Sequence, residues 1–284
     1  MAIILFGIIS LAVIGLVLGA VIGIAAKLFK VEVDPRIGLV LELLPNANCG
    51  GCGKAGCADF ARAVVNGELP PSKCPVSSQA VIATIAKALG IEVGSGTKMA
   101  AVVLCGGDKN QSKIHVLYNG VNDCASAALI AGGPKGCQYG CLGMGSCARS
   151  CPFGAIEMIN NLAVVHDELC VGCGNCVKAC PRGVIKLVPA TARVHVYCNS
   201  PEKGITKKQV CSVGCIGCRK CVKAAEEGQF KVDGIKVSVN YEAETLPGED
   251  IVEKAGCPSK CLLTEKQHLE NEYNELAERL KKGV

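Results

Sequence analysis

The chain opens on an unbroken apolar run: Ala2 to Ala26 carries no charge and is dominated by Ile, Leu, Val, Ala and Gly. As a helix the run would be roughly 37 Å long, enough to cross a ~30 Å hydrocarbon layer with some tilt. A cleaved signal peptide is the competing reading. No Lys or Arg precedes the run, it is long for an h-region, and Lys27 follows directly, so a single-pass anchor is expected. Lys27, Lys30 and Arg36 lie behind it, and the positive-inside rule then puts the bulk of the chain on the cytoplasmic side of the inner membrane. With no ionisable group inside it, the span is not expected to conduct ions.

Past the anchor the periodicity shortens. Ser77 to Leu89 reads as a polar, Ala-rich helix, followed by a linker at Gly94-Ser95-Gly96-Thr97. Ala155–Met158 and Leu162–Val165 flank Asn160-Asn161, and Phe230–Val232 and Ile235–Val237 flank Asp233-Gly234, two hairpin patterns. From Thr264 the pattern is helical, opened by a capping box with Gln267, and Leu269, Tyr273, Leu276 and Leu280 share one face. Such a helix would pack on its own domain or, less simply, dock a partner.

Cysteine changes this picture: 21 stand among 284 residues. A chain of this length, half of it apolar, does not need a disulfide scaffold to fold, and C-x-x-C runs suit soft metal sites better than loop staples. Tryptophan is absent and aromatics make up 4% of residues, so metal centres are expected to stand in for part of the core. A net charge of +5, with no basic stretch interleaved with aromatics, gives no reason to expect nucleic acid.

The run Cys170-x2-Cys173-x2-Cys176-x3-Cys180-Pro181 has bacterial ferredoxin spacing, in which the fourth cysteine reaches a neighbouring cluster. Four cysteines in one run disfavour zinc, which takes two separated pairs. Upstream stand Cys137, Cys141, Cys147 and Cys151-Pro152, with Met144 where regular spacing wants a cysteine. The expected pairing is Cys137, Cys141, Cys147 and Cys180 on one cluster, and Cys170, Cys173, Cys176 and Cys151 on the other. A third block keeps Cys215, Cys218 and Cys221, has Ala225 in place of the fourth cysteine, and ends on Cys257-Pro258; one cluster is expected on those four cysteines. The amino-terminal set is Cys49, Cys52, Cys57 and Cys74, with glycines that let amides approach a cluster. Four [4Fe–4S] clusters follow. Cys105, Cys124, Cys198, Cys211 and Cys261 remain, as buried thiols or as ligands of a fifth cluster; Cys105 and Cys198 each end an apolar segment, which hints at equivalent places in two repeats.

The expected fold is α+β: an anchor at 1–27, a four-Cys domain at 28–98, a dicluster ferredoxin-like domain at 99–190, a degenerate copy at 191–262 and an amphipathic helix at 263–284. With no G-x-G-x-x-G run after a strand, NAD should bind another subunit.

The anchor, the stretch Asn48-Cys49-Gly50-Gly51-Cys52-Gly53 with Cys57 and Cys74, and the serial ferredoxin motifs together resemble the B subunit of the Rnf complex over nearly the whole chain. That resemblance implies a relay subunit of a hetero-oligomeric, ion-translocating ferredoxin:NAD oxidoreductase, with soluble ferredoxin and flavin-bearing membrane subunits as partners and no catalysis by this chain alone. Ligand roles would carry over to Cys49, Cys52, Cys57, Cys74, Cys141, Cys147, Cys151, Cys170, Cys173, Cys176 and Cys180. The alternatives are a ferredoxin-type subunit of another membrane oxidoreductase, such as a formate or quinone-linked dehydrogenase, and a zinc-binding interaction module.

Overall fold

The computed structural model describes residues 2–28, 34–93 and 96–281. Helix α1 (Ala2–Leu28) stands free of the rest of the molecule, and its large apolar side chains from Ile4 to Ile24 are exposed all round. A helix apolar on every face and packed against nothing suits lipid rather than water. Lys30, and positions 94 and 95 of the expected linker, lie outside the described residues.

Three apolar cores follow one another along the chain. The first joins α2 (Pro35–Leu43), α3 (Cys57–Val65), a 3-10 turn at Pro71–Lys73 and α4 (Gln79–Leu89) around Val40, Leu44, Phe60, Val64 and Ile85. Asp34 caps α2 by accepting from the Arg36 amide at 2.8 Å, and Ser78 caps α4 through the Val81 amide.

The second and third cores belong to two repeats of one plan. The first runs β1 (Met99–Val103), α5 (Cys124–Leu129), α6 (Ser146–Arg149), β2 (Ile156–Ile159), β3 (Leu162–Val165), α7 (Asn175–Ala179) and β4 (Ile185–Pro189). The second runs β5 (Val194–Val196), α8 (Gly204–Val210), α9 (Lys220–Ala224), β6 (Phe230–Asp233), β7 (Lys236–Val239), α10 (Ile251–Ala255) and β8 (Leu262–Thr264). In each, the opening strand pairs antiparallel with the closing one: Val103 faces Ile185, and Val196 faces Leu262. Each also encloses a hairpin. Asn160 and Asn161 both take positive φ, as a tight two-residue turn requires. In the second hairpin Asp233 already pairs with Lys236, so the turn is Gly234-Ile235, one residue beyond the expected Asp233-Gly234. Val102, Leu104, Val188 and Ala192 join the repeats through Tyr241 and Leu246.

Helix α11 (Glu265–Lys281) starts at a reciprocal capping box: the Thr264 amide donates to Gln267 Oε1 and the Gln267 amide to Thr264 Oγ1, both at 3.1 Å. His268 lies on the ring of Tyr197, and the Tyr273 hydroxyl donates to Glu157 in β2 at 2.7 Å, so the helix packs across both repeats. The side chains of Leu276 and Leu280 lie outside the described residues.

Two-stranded sheets are marginal alone. Here the cores are completed by cysteines: Cys105, Cys141, Cys147, Cys170 and Cys176 pack among Val103, Leu162, Val184 and Ile185. Removing metal anaerobically should therefore unfold most of residues 40–262, since binding and folding are one equilibrium in such domains. Circular dichroism before and after iron removal measures it; an unchanged spectrum and melting midpoint would contradict the dependence.

Candidate metal centres

Every described cysteine is a free thiol, and they gather into groups. In the first core Cys74 is buried beside Cys52 and Cys57, and the Cys57 amide donates to Asn48 Oδ1 at 2.8 Å. Burial raises the Cys49 thiol, and the charges of Cys173, Cys74 and Cys52 add to the rise. Cys173 belongs to the next group, and contact between the two is close. A Cβ at Gly51 would stand 3.0 Å from the Cys173 backbone, so only glycine lets these loops meet. Asn175 Nδ2 closes the junction with a 3.0 Å bond to the Cys49 carbonyl.

Cys151, Cys170, Cys173 and Cys176 line one cavity with Phe153 and Ile156. Cys151 thus crosses from the first run to the second. Burial pushes Cys176 up to about 12, with the charges of Cys170, Cys173 and Cys151 adding to it. The Ala101 amide donates to Cys170 Sγ at 3.3 Å, the kind of contact that tunes a cluster ligand.

The neighbouring cavity differs from the expected pairing. It is lined by Cys141, Cys147 and Cys180, and the fourth thiol is Cys124 rather than Cys137. Burial pushes Cys147 up to about 12, with Cys141, Cys124 and Cys180 around it. Two local devices explain the exchange. Ser146 Oγ accepts from the Cys124 amide and donates to Asp123, the N-cap of α5, both at 2.8 Å, which pins Cys124 beside Cys147. Meanwhile the Arg182 guanidinium donates to the carbonyls of Gly132, Cys137 and Gly140, which fixes the loop that carries Cys137. Cys137 lines a separate cavity with Cys105, Cys198 and Cys211. The sequence signal for Cys124 was the Asp-Cys step at a helix start, which carries no metal-ligand spacing.

In the second repeat Cys215, Cys218, Cys221 and Cys257 line one cavity, and Cys261 stands in its wall. Cys261 Sγ lies 3.7 Å from Cys257 Sγ. Hydrogen bonding from Cys261 holds Cys257 and Cys215 below the usual thiol range, while Cys261 itself is raised. Cys218 is exposed.

Among the described residues no three Cys, His, Asp or Glu groups converge on the position of one ion. The thiols ring cavities in groups that offer the four ligands an iron–sulfur cube takes. Comparison with known proteins agrees. Residues 44–76 match the family model described as a putative Fe-S cluster, and residues 163–186 match the 4Fe-4S binding domain. The chain is 40% identical over 253 residues to the B subunit of an ion-translocating oxidoreductase complex from Methanosarcina acetivorans, covering 89% of this chain and 95% of that one. It is 44% identical over 206 residues to the B subunit of the proton-translocating ferredoxin:NAD(+) oxidoreductase complex of Clostridium ljungdahlii, covering 72% of each. A third relative, the B subunit of the Na(+)-translocating complex of Acetobacterium woodii, is 45% identical over 146 residues, 51% of this chain and 44% of that one.

The chain belongs to the B-subunit family of Rnf complexes. As a member it is an iron–sulfur protein. The matched models span Cys49 to Cys74 and Cys170 to Cys180, so the remaining thiol groups of this Rnf family member rest on the cavity geometry. The junction at Gly51 gives a direct test. Gly51→Val should overpack it, at a cost of about 1–3 kcal/mol, and speed hydrogen exchange in both facing loops. Unchanged exchange across residues 48–53 and 170–176 would show that the loops part without effect.

Proposed function

We propose that this chain is the electron relay of an Rnf-type ferredoxin:NAD oxidoreductase complex, anchored by α1 with residues beyond 27 on the cytoplasmic side. Four [4Fe–4S] clusters are assigned, on Cys49/Cys52/Cys57/Cys74, Cys151/Cys170/Cys173/Cys176, Cys124/Cys141/Cys147/Cys180 and Cys215/Cys218/Cys221/Cys257. The observation that carries the reading is the set of thiol groups distributed along the chain, the first two of which meet at the Gly51–Cys173 contact. Bound clusters supply one-electron storage. The chain's residues space them, exclude water and set their potentials through amide bonds, burial and nearby charge. Soluble ferredoxin and flavin-bearing subunits are the partners this reading requires.

The exposed face of the second repeat suits ferredoxin docking. Cys218 is exposed, and Lys203, Lys208, Arg219, Lys220 and Lys223 are exposed on the same repeat. Small ferredoxins are typically acidic, so this face would steer one in. Lys207, next to Lys208 in the chain, is buried and takes no part in that surface.

Two measurements test the proposal. Cys124→Ser should cost the protein one cluster, about four iron, or convert it to a three-iron EPR signal; intact iron and spectrum would remove Cys124 from the ligand set. Lys220→Glu/Lys223→Glu should slow electron transfer from reduced ferredoxin and flatten its salt dependence as the Debye length falls from ~10 Å at 0.1 M to ~3 Å at 1 M. Wild-type rates and salt slope in that variant would place ferredoxin entry elsewhere.

A further inference from the structure

Cys105, Cys137, Cys198 and Cys211 have no place in the four clusters assigned above, yet they line a single cavity. Two come from each repeat, and from corresponding positions. Cys105 lies two residues past β1 and Cys198 two residues past β5. Their amides make the same turn, to Val103 O and to Val196 O, each at 2.8 Å. The residues just before them are matched too: the Leu104 amide donates to Val184 O at 2.8 Å, and the Tyr197 amide to Cys261 O at 2.7 Å. Cys137 and Cys211 form the second related pair. Each stands four residues ahead of the first cysteine of its repeat's cluster run, Cys141 and Cys215. The repeats meet here through paired backbone, with Ser112 bridged to Cys211 and the Lys113 amide donating to Val210 O at 2.9 Å.

The surroundings of the cavity point to an anionic occupant larger than a water molecule. A Cβ at Gly140 would come 3.3 Å from Cys105 Sγ and 3.4 Å from Cys137 Sγ, so the backbone there borders the sulfurs with no side chain between. Lys207 also lines the cavity; it is 2% exposed, and its ammonium has no hydrogen-bond partner among the described residues. A buried cation left unpaired costs several kcal/mol, so something negative is required beside it. Lys135, in the same lining, is satisfied by the carbonyls of Gly107 and Asn161, both at 2.7 Å, and cannot serve as that partner. A [4Fe–4S] cube held by four thiolates carries a net negative charge and sulfide faces that accept hydrogen bonds.

We infer that Cys105, Cys137, Cys198 and Cys211 hold a fifth [4Fe–4S] cluster at the junction of the two repeats. It rests on the relay reading for its use. The Cys141 amide donates to Cys105 Sγ at 3.3 Å, which ties this site to the cluster on Cys141, and Cys198 lies close to Cys215 of the next. The site therefore closes the gap between the first repeat and the second. One electron would enter from one side and leave to the other, with no net oxidation of the protein.

The test uses the full-length protein, purified and reconstituted without oxygen, with iron, acid-labile sulfide and zinc counted per chain. Five cubes require about 20 iron and about 20 sulfide; four require about 16. The double variant Cys198→Ser/Cys211→Ser should lose about four of each, and Cys124→Ser should lose a separate four, so that combining them removes about eight. Lys207→Met is the variant that keeps all four thiols. It should retain the iron and shift to a more negative potential the midpoint of this cluster and that of its neighbour on Cys215, which Lys207 also faces, in an EPR-monitored redox titration, leaving the other three in place. About 16 iron in the wild type, with no loss on removing Cys198 and Cys211, would overturn the fifth cluster and leave the four-cluster relay standing. Zinc at four thiols with the other iron intact would do the same. A wild type without iron would overturn the relay itself.

Discussion

Crowded buried thiols are the constraint on which the rest of this structure depends. Sulfurs crowded around a small cavity away from water resist ionising where no neighbouring thiol donates to them: Cys147, Cys176 and Cys211 are each pushed up to about 12 by burial first and by neighbouring thiols second. A soft multivalent centre removes that penalty, because it replaces the protons with iron and turns mutual repulsion into shared coordination. The same sulfurs fill the cores that short strands and scarce aromatics leave thin.

The repeat supplies the geometry. Each copy closes its opening strand against its final strand and hangs a hairpin and three short helices between them. The second copy has lost the cysteines of one cluster run but keeps the helix before Cys257-Pro258, which corresponds to α7 before Cys180-Pro181. A scaffold helix survives because it packs on the hairpin core, whereas a ligand matters only where a cluster must sit. Cys261 occupies the position of Val184 in the first copy, both offering a carbonyl to the residue after the opening strand. Its burial behind Cys257 and Cys215 follows from that backbone role.

How far sequence reasoning reaches depends on the distance between the residues concerned. Two-residue spacers force neighbouring sulfurs toward common corners, so the sets at Cys170–Cys176 and Cys215–Cys221 were legible from spacing alone. The same holds for the Asn160-Asn161 turn and the Thr264–Gln267 cap, where the chemistry lies within a few residues. Even the crossing of Cys151 and of Cys180 could be read, since the ferredoxin pattern carries it. The anchor was equally plain, since an uncharged run of that length is a one-dimensional property.

Tertiary structure decided what chain distance leaves open. The vacancy at Met144 could be filled by any thiol the fold delivers. Spacing favoured Cys137, but a serine linking two helix starts brings Cys124 in, and an arginine from beyond the second run fixes the loop that carries Cys137. Lys207 sits in a row of basic residues, yet the helix carrying it turns it inward, 2% exposed. Cys105 and Cys211 are 106 positions apart, and no periodicity relates them until two copies of one fold meet. The physical reason is common to all three. Local spacing governs how neighbouring groups can converge, whereas groups far apart in the chain converge only where packing between whole elements puts them.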